Sequence, residues 1–135
     1  MQGMEIDQVN AWFREHFTRF DESMQFDSLG EGRATLRHFA RSGMLRPEGT
    51  VAGPVMMMIA DAAAYAAILS ADKDATGAVT SNLNISFLKA PPPEDLLGEA
   101  ELLSLGTRLI VCEVRIHSIT EEKPVAHATV TYARR

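Results

Sequence analysis

Asp61 is the residue most out of keeping with its neighbours. From Val55 to Ala71 every residue is apolar or small except Asp61, Tyr65 and Ser70, and Asp61 is the one charge in the stretch. An ionised carboxylate among apolar side chains costs several kcal/mol unless donors or positive charge compensate it. A segment that served only to fill space would carry alanine there, so a functional acid is the economical reading. The competing reading is an acid at the rim of a helix, solvated through a subunit seam or bonded to neighbouring backbone. A functional acid in this setting acts as a general base or as a nucleophile. Just ahead of it, Gly49-Thr50-Val51-Ala52-Gly53-Pro54 brings a flexible turn onto a helix N-terminus. Free N–H groups and the positive end of the helix dipole stabilise developing negative charge there, which makes the Gly53 amide a candidate oxyanion donor. Asp61 follows Gly53 by eight residues, or about 12 Å along a helix axis. That is too far for both to act on one group within a single chain. Two helices packed antiparallel in a symmetric homodimer would bring the Gly53 end of one beside Asp61 of the other, predicting two shared interfacial sites.

The elements that must position these groups follow from periodicity. Ile6, Val9, Trp12, Phe13, Phe17 and Phe20 recur at helical spacing, so residues 5–20 are predicted to form an amphipathic helix whose aromatics pack on a core. From Met24 to Phe39 the pattern shortens to two candidate strands around a Gly30-Glu31-Gly32 turn. A loop spans 40–51, Pro54 suits the first turn of a helix, and that central helix is predicted over about 54–71, ending in Asp72–Gly77. Val79, Leu83, Ile85 and Phe87 then alternate with Thr80, Asn82, Asn84 and Ser86, the mark of a strand with one apolar face. Three further strands are expected near 95–105, 108–118 and 125–133, broken by Pro91-Pro92-Pro93, Gly106-Thr107 and Thr120–Lys123. One long helix among six strands cannot supply βαβ crossovers. The α+β class remains: an antiparallel sheet curled around one central helix, with residues 1–135 forming a single domain.

The composition fits a self-sufficient domain. The chain has 135 residues, 46% hydrophobic and 23% charged, near the averages for globular proteins. The first twenty residues mix acids and bases and lack a secretory h-region, so a cytoplasmic location is expected. The largely apolar stretch from Val55 to Ala71, 17 residues, would barely span a bilayer, and its Asp61 argues against a membrane segment. A net charge of −5 with scattered bases disfavours nucleic acid, although a few local cations could hold the phosphates of one small ligand. The single cysteine, Cys112, reads as a small buried hydrophobe, and His16, His38, His117 and His127 show no paired spacing. No metal site is expected.

Over about residues 30–133 the sequence resembles the hot-dog thioesterases of the phenylacetate-pathway and 4-hydroxybenzoyl-CoA type. That family's signature runs Asn-x-x-Gly-x-x-His-Gly-Gly, then a helix with an acid nine residues after the His, a Val-Thr strand and a Gly-x-x-Leu turn. Here Arg46-Pro47-Glu48-Gly49-Thr50-Val51-Ala52-Gly53-Pro54 is followed by Asp61, Val79-Thr80 and Gly106-Thr107-Arg108-Leu109, with Val125-Ala126-His127-Ala128-Thr129 similar to the final strand. Arg46 stands at the asparagine, Ala52 at the histidine and Pro54 at the second glycine.

The resemblance implies a hot-dog fold and hydrolysis of an aryl- or fatty acyl-CoA thioester, CoA being part of the substrate and no further cofactor needed. The thioester carbonyl would face the Gly53 N–H, Asp61 would activate water or attack directly, and Thr80 would orient the water. Arg46, Ala52 and Pro54 occupy substrate-binding positions, while Lys89 and Arg108 are candidates for the CoA phosphates. Met56-Met57-Met58 could line a pliable acyl pocket, with Met57 facing substrate and Tyr65, one turn after Asp61, at its border. Dimers could pair further into tetramers. Two other readings stay open: a non-catalytic acyl-CoA-binding module, and an acyl-thioester dehydratase. The second would need a histidine beside the Gly53 turn, where none stands.

Overall fold

The computed structural model describes residues 2–17, 20 and 22–135. Along them run α1 (Ile6–His16), β1 (Met24–Gly30), β2 (Arg33–His38), the long helix α2 (Gly53–Ala71), β3 (Val79–Phe87), β4 (Leu96–Leu105), β5 (Leu109–Ser118) and β6 (Ala126–Ala133). The strands form one antiparallel sheet in the order β1-β2-β4-β5-β6-β3. It wraps around α2, which is the expected hot-dog arrangement.

The reason lies in α2, which has no polar face to show to water. Every residue from Ala63 to Ser70 is buried. Ala60, Ala63, Ala64, Ala66 and Ala67 are fully buried and small, so the helix lies close to the sheet. Gly98 of β4 marks the closest approach, since a Cβ there would sit 2.5 Å from Ile59 Cγ2. By length and composition α2 could cross a membrane, but here it is the core around which the sheet is built. Its C-terminal end is tied down twice. The Gly32 N–H donates to Ser70 Oγ at 2.9 Å, and the Arg134 guanidinium pairs with the buried Asp72 carboxylate at 2.8 Å.

Several expectations are corrected. The first helix stops at His16 rather than residue 20; Thr18, Arg19 and Asp21 of that region lie outside the described residues, and Phe20 is nonetheless buried. α2 starts at Gly53, one residue before the predicted Pro54. The 40–51 loop contains a 3-10 turn over Ser42–Met44 and a Leu45–Val51 bridge, closed at Gly49, whose φ of 91° only glycine adopts readily. Asp72–Gly77 is a 3-10 stretch over Lys73–Gly77 as well as a helix stop. Finally, α2 is not enclosed on all sides. Val55, Met58, Asp61 and Ala62 are half-buried, and Met57 is 43% exposed.

The uncovered side of α2 adjoins β3, which among the described residues pairs with β6 alone. Its expected apolar face is not covered within this chain, because Leu83 and Ile85 are half-buried while Val79 and Phe87 are 44% and 50% exposed. The opposite edge is managed differently. On β1 a bulge between Phe26 and Ser28 and the charge of Asp27 interrupt pairing, and Asn10 of α1 accepts the Phe26 N–H at 3.1 Å.

The close approach of helix and sheet sets the first prediction. Gly98→Ala should cost about 1–3 kcal/mol, because the added methyl meets a fully buried isoleucine that cannot move away. Urea unfolding should show the lowered midpoint with an unchanged m-value.

Candidate active site

Asp61 projects from the half-covered stretch of α2 toward the start of β3 and the end of β6. Its Oδ1 accepts two hydroxyl donors, Thr80 Oγ1 at 2.7 Å and Tyr132 OH at 2.8 Å. The Tyr132 hydroxyl also lies 3.2 Å from the Asp61 main-chain carbonyl oxygen. Oδ2 has no hydrogen-bond partner among the described residues. The acid is half-buried rather than buried, so part of the charge is compensated by donors and part by access to solvent.

The aromatic surroundings of Asp61 are closely packed. The rings of Tyr132 and Tyr65 stack 5.6 Å apart at 11°, and Tyr65 OH donates to the Thr76 carbonyl at 2.7 Å. Phe13 and Phe17 of the α1 segment approach Tyr65 at 5.7 and 5.9 Å. Together with Phe20, Met58 and Asp61 these side chains line a cavity of about 180 Å³. A second, more open recess of about 340 Å³, which Asp61 also lines, is walled by Val79, Thr80, Tyr65 and Tyr132. Burial pushes both phenols above the usual tyrosine range; at Tyr132 the neighbouring Asp61 charge adds to it.

The Gly53 end of α2 forms a separate group. Ala52 caps the helix without a side-chain hydrogen bond, Pro54 has no N–H, and Val55 N–H turns back to the Ala52 carbonyl at 3.1 Å. The Gly53 N–H has no acceptor among the described residues. A groove of about 580 Å³ opens beside it, walled by Arg46, Pro54, Phe87, Lys89 and Pro91. The Phe87 ring lies so close that a Cβ at Gly53 would be 3.4 Å from its Cζ. Both cations of this groove are paired, Arg46 with Glu48 and Lys89 with Glu121 at 3.1 Å.

The predicted site residues thus fall into two clusters in one chain. Asp61, Thr80 and Tyr65 gather at one, and Gly53, Pro54, Arg46 and Lys89 at the other, with Ala52 half-buried behind it and donating its N–H to the Met44 carbonyl at 2.8 Å. Met57 lies on the exposed face of α2 and lines neither cavity; Met58 lines the aromatic one. Arg108 is exposed at the β4–β5 turn, where its carbonyl accepts the Arg134 N–H, and borders neither cluster. Tyr132 and the aromatic wall of Phe13, Phe17 and Phe20 were missed by sequence reasoning. The strand alternation of β6 held a signal for Tyr132, which points inward with Val130 and Ala128. Cys112, beneath α2, is fully buried and its thiol is pushed up to about 12. Among the described residues no group of three or more His, Cys, Asp or Glu side chains could hold a metal.

Comparison with known proteins agrees with the fold. The sequence profile of the thioesterase superfamily matches residues 48–125. A solved protein from a Silicibacter species, described as a candidate thioesterase, is 35% identical, with all of this chain and 94% of that one covered at a TM-score of 0.89. Zebrafish thioesterase superfamily member 2 shares the fold at 22% identity, covering 98% of this chain and 100% of that one with a TM-score of 0.87. A single-site variant of a phenylacetic acid degradation protein from Thermus thermophilus shares it at 23% identity, covering 84% and 94% with a TM-score of 0.73. No curated protein sequence matches the chain.

The two tyrosines of the chain give the site a pH signature. Both phenols are raised above the ordinary value of about 10, so the folded chain holds these protons more tightly than the unfolded chain. The stability they contribute is complete below that pH and is lost as the pH rises beyond it. An ultraviolet titration should show the two phenols less than half ionised at about pH 10, where a free phenol is half ionised, with Tyr132, which is raised by both burial and the Asp61 charge, the later of the two to ionise.

Proposed function

The chain belongs to the thioesterase superfamily and is a thioester hydrolase, and from that premise we propose that it cleaves acyl-CoA thioesters with Asp61 as general base. One observation carries this reading: a carboxylate with one oxygen free stands in the wall of an aromatic cavity. Asp61 takes a proton from water, and the hydroxide adds to the thioester carbonyl carbon. Charge develops on the carbonyl oxygen, the C–S bond breaks, and CoA leaves as a thiolate that takes up a proton. Thr80 supports the water route over direct attack, since its hydroxyl proton is committed to Oδ1 and its lone pairs remain to hold a water beside the acid. A positioned base contributes roughly 10²–10⁴ in rate and an oxyanion donor roughly 10²–10³.

The oxyanion donor in this proposal is the Gly53 N–H of the partner subunit. β3 is a nine-residue edge without a single charged side chain, the kind of edge that invites pairing with another strand. It runs antiparallel to α2, with Thr80 bonded to Asp61 at one end and Phe87 against Gly53 at the other. A two-fold axis near Leu83 and Asn84 would pair β3 with its copy, lay Thr80 of one chain opposite Phe87 of the other, and cover the exposed Val79, Phe87 and Met57. Each Asp61 then meets the Gly53 end of the other chain, so the active unit is a homodimer with two shared sites. The acyl group enters the aromatic cavity, while CoA lies along the groove of Arg46 and Lys89. Their exposed ion pairs are worth about 0–1 kcal/mol each and are readily exchanged for phosphate contacts.

The cavity's size supports an acyl group of one ring or a short chain. An apolar cavity of about 150 Å³ in another protein accommodates benzene, and this one measures about 180 Å³. In an assay of thiol release, aryl- and short-chain acyl-CoAs should therefore outperform long-chain ones in kcat/KM, and Asp61→Asn should lower kcat roughly 10²–10⁴-fold. An Asp61→Asn rate equal to wild type would refute Asp61 as the catalytic base.

Mixing tests the shared site. Asp61→Asn and Gly53→Pro chains, each nearly inactive alone and each folded by circular dichroism, should recover roughly a quarter of the wild-type rate after subunit exchange, because half the dimers are hybrids with one intact site. A sedimenting monomer in the assay, or no recovery in the mixture, would refute the shared arrangement.

A further inference from the structure

We infer that Tyr132 is a positioning residue for Asp61, acting with Thr80 as a two-strand clamp that dedicates Oδ1 to hydrogen bonding and leaves Oδ2 for the reaction; this rests on the hydrolytic reading of Asp61. The two donors are direct cross-strand partners in the β3–β6 pairing. The sheet therefore delivers both hydroxyls side by side, at 2.7 and 2.8 Å from one oxygen. Two donors on the same oxygen fix the carboxylate about both of its side-chain torsions, which one donor would not.

Tyr132 is suited to this task in three ways. Its ring is 5% exposed and stacked on Tyr65, itself anchored through Thr76, so the hydroxyl cannot swing away. β6 is hydrogen-bonded on both sides, to β5 and β3, so the backbone beneath the ring is also fixed. A buried phenol that keeps its proton is a donor throughout the working pH range, as a histidine is not, and unlike a lysine it steadies the acid without neutralising it. Removing the hydroxyl keeps the ring, the cavity wall and the stack. What changes is the aim of the carboxylate, and small misplacements of a reacting group are costly in rate.

The test is Tyr132→Phe. We expect kcat to fall roughly 10- to 100-fold with KM within about twofold of wild type, since the cavity is unaltered. In an Asp61→Asn background the same substitution should change the residual rate by less than about twofold, because there is no carboxylate left to aim. A loss of equal size in both backgrounds, or an unchanged kcat, overturns the proposal. A second readout does not depend on activity. In protein labelled with ¹³C at the aspartate carboxyls, the Asp61 signal, assigned by its absence in Asp61→Asn, should move in Tyr132→Phe and move again in Thr80→Ala. A signal indifferent to Tyr132 refutes the clamp even if Asp61 is catalytic. A signal that moves while Asp61→Asn retains the wild-type rate refutes the catalytic reading and leaves the clamp standing.

Discussion

A helix with no polar face can be stable in water only if something surrounds it, and one chain of this size has only a sheet with which to do so. That constraint organises the molecule. The sheet must curl, its concave residues must be small or aliphatic, and at the closest approach β4 must carry Gly98, because Ile59 occupies the space of a side chain. The same constraint makes Asp61 conspicuous. Its compensation cannot come from its own helix, whose neighbours are apolar. It comes instead from hydroxyls on the two strands that pass beside it.

The sheet covers α2 incompletely, and the gap has an edge strand along it. Of the two edge strands β3 is the more exposed, with seven of its nine residues exposed and both faces among them. A one-residue slip in a strand reverses its faces. The bulge between Thr80 and Asn82 is therefore consequential: it lets Thr80 meet Asp61 while Leu83 and Ile85 stay half-buried.

Much of this was legible in the residues. The central helix, the acid within it, the hairpin at Gly30-Glu31-Gly32 and the last three strands follow from period and turn chemistry, with bounds shifted by one or two residues. Thr80 is singled out by the resemblance, which implies a Val-Thr pair where a strand opens after the helix. Other features were illegible for physical reasons. Strand alternation groups residues by face without saying what covers that face, so the exposure of Val79 and Phe87 could not be read. Phe13 and Phe17 have the spacing of core aromatics whether they fill a core or border a cavity. Tyr132 lies 71 residues from Asp61, and nothing local links them. Arg108 occupied a suggestive turn, yet the turn sits apart from both clusters.

The aromatic wall has an implication for how this scaffold could diversify. Phe13, Phe17 and Phe20 belong to the segment before β1, whereas the acid and its donors belong to α2, β3 and β6. On the proposed mechanism the part that measures the guest is thus covalently remote from the part that acts on it, and the two meet at the cavity that Tyr65, Tyr132 and Asp61 also line. Reshaping that leading segment could change the choice of guest with the reactive machinery left intact, a separation of selectivity from chemistry that no single-element site would allow.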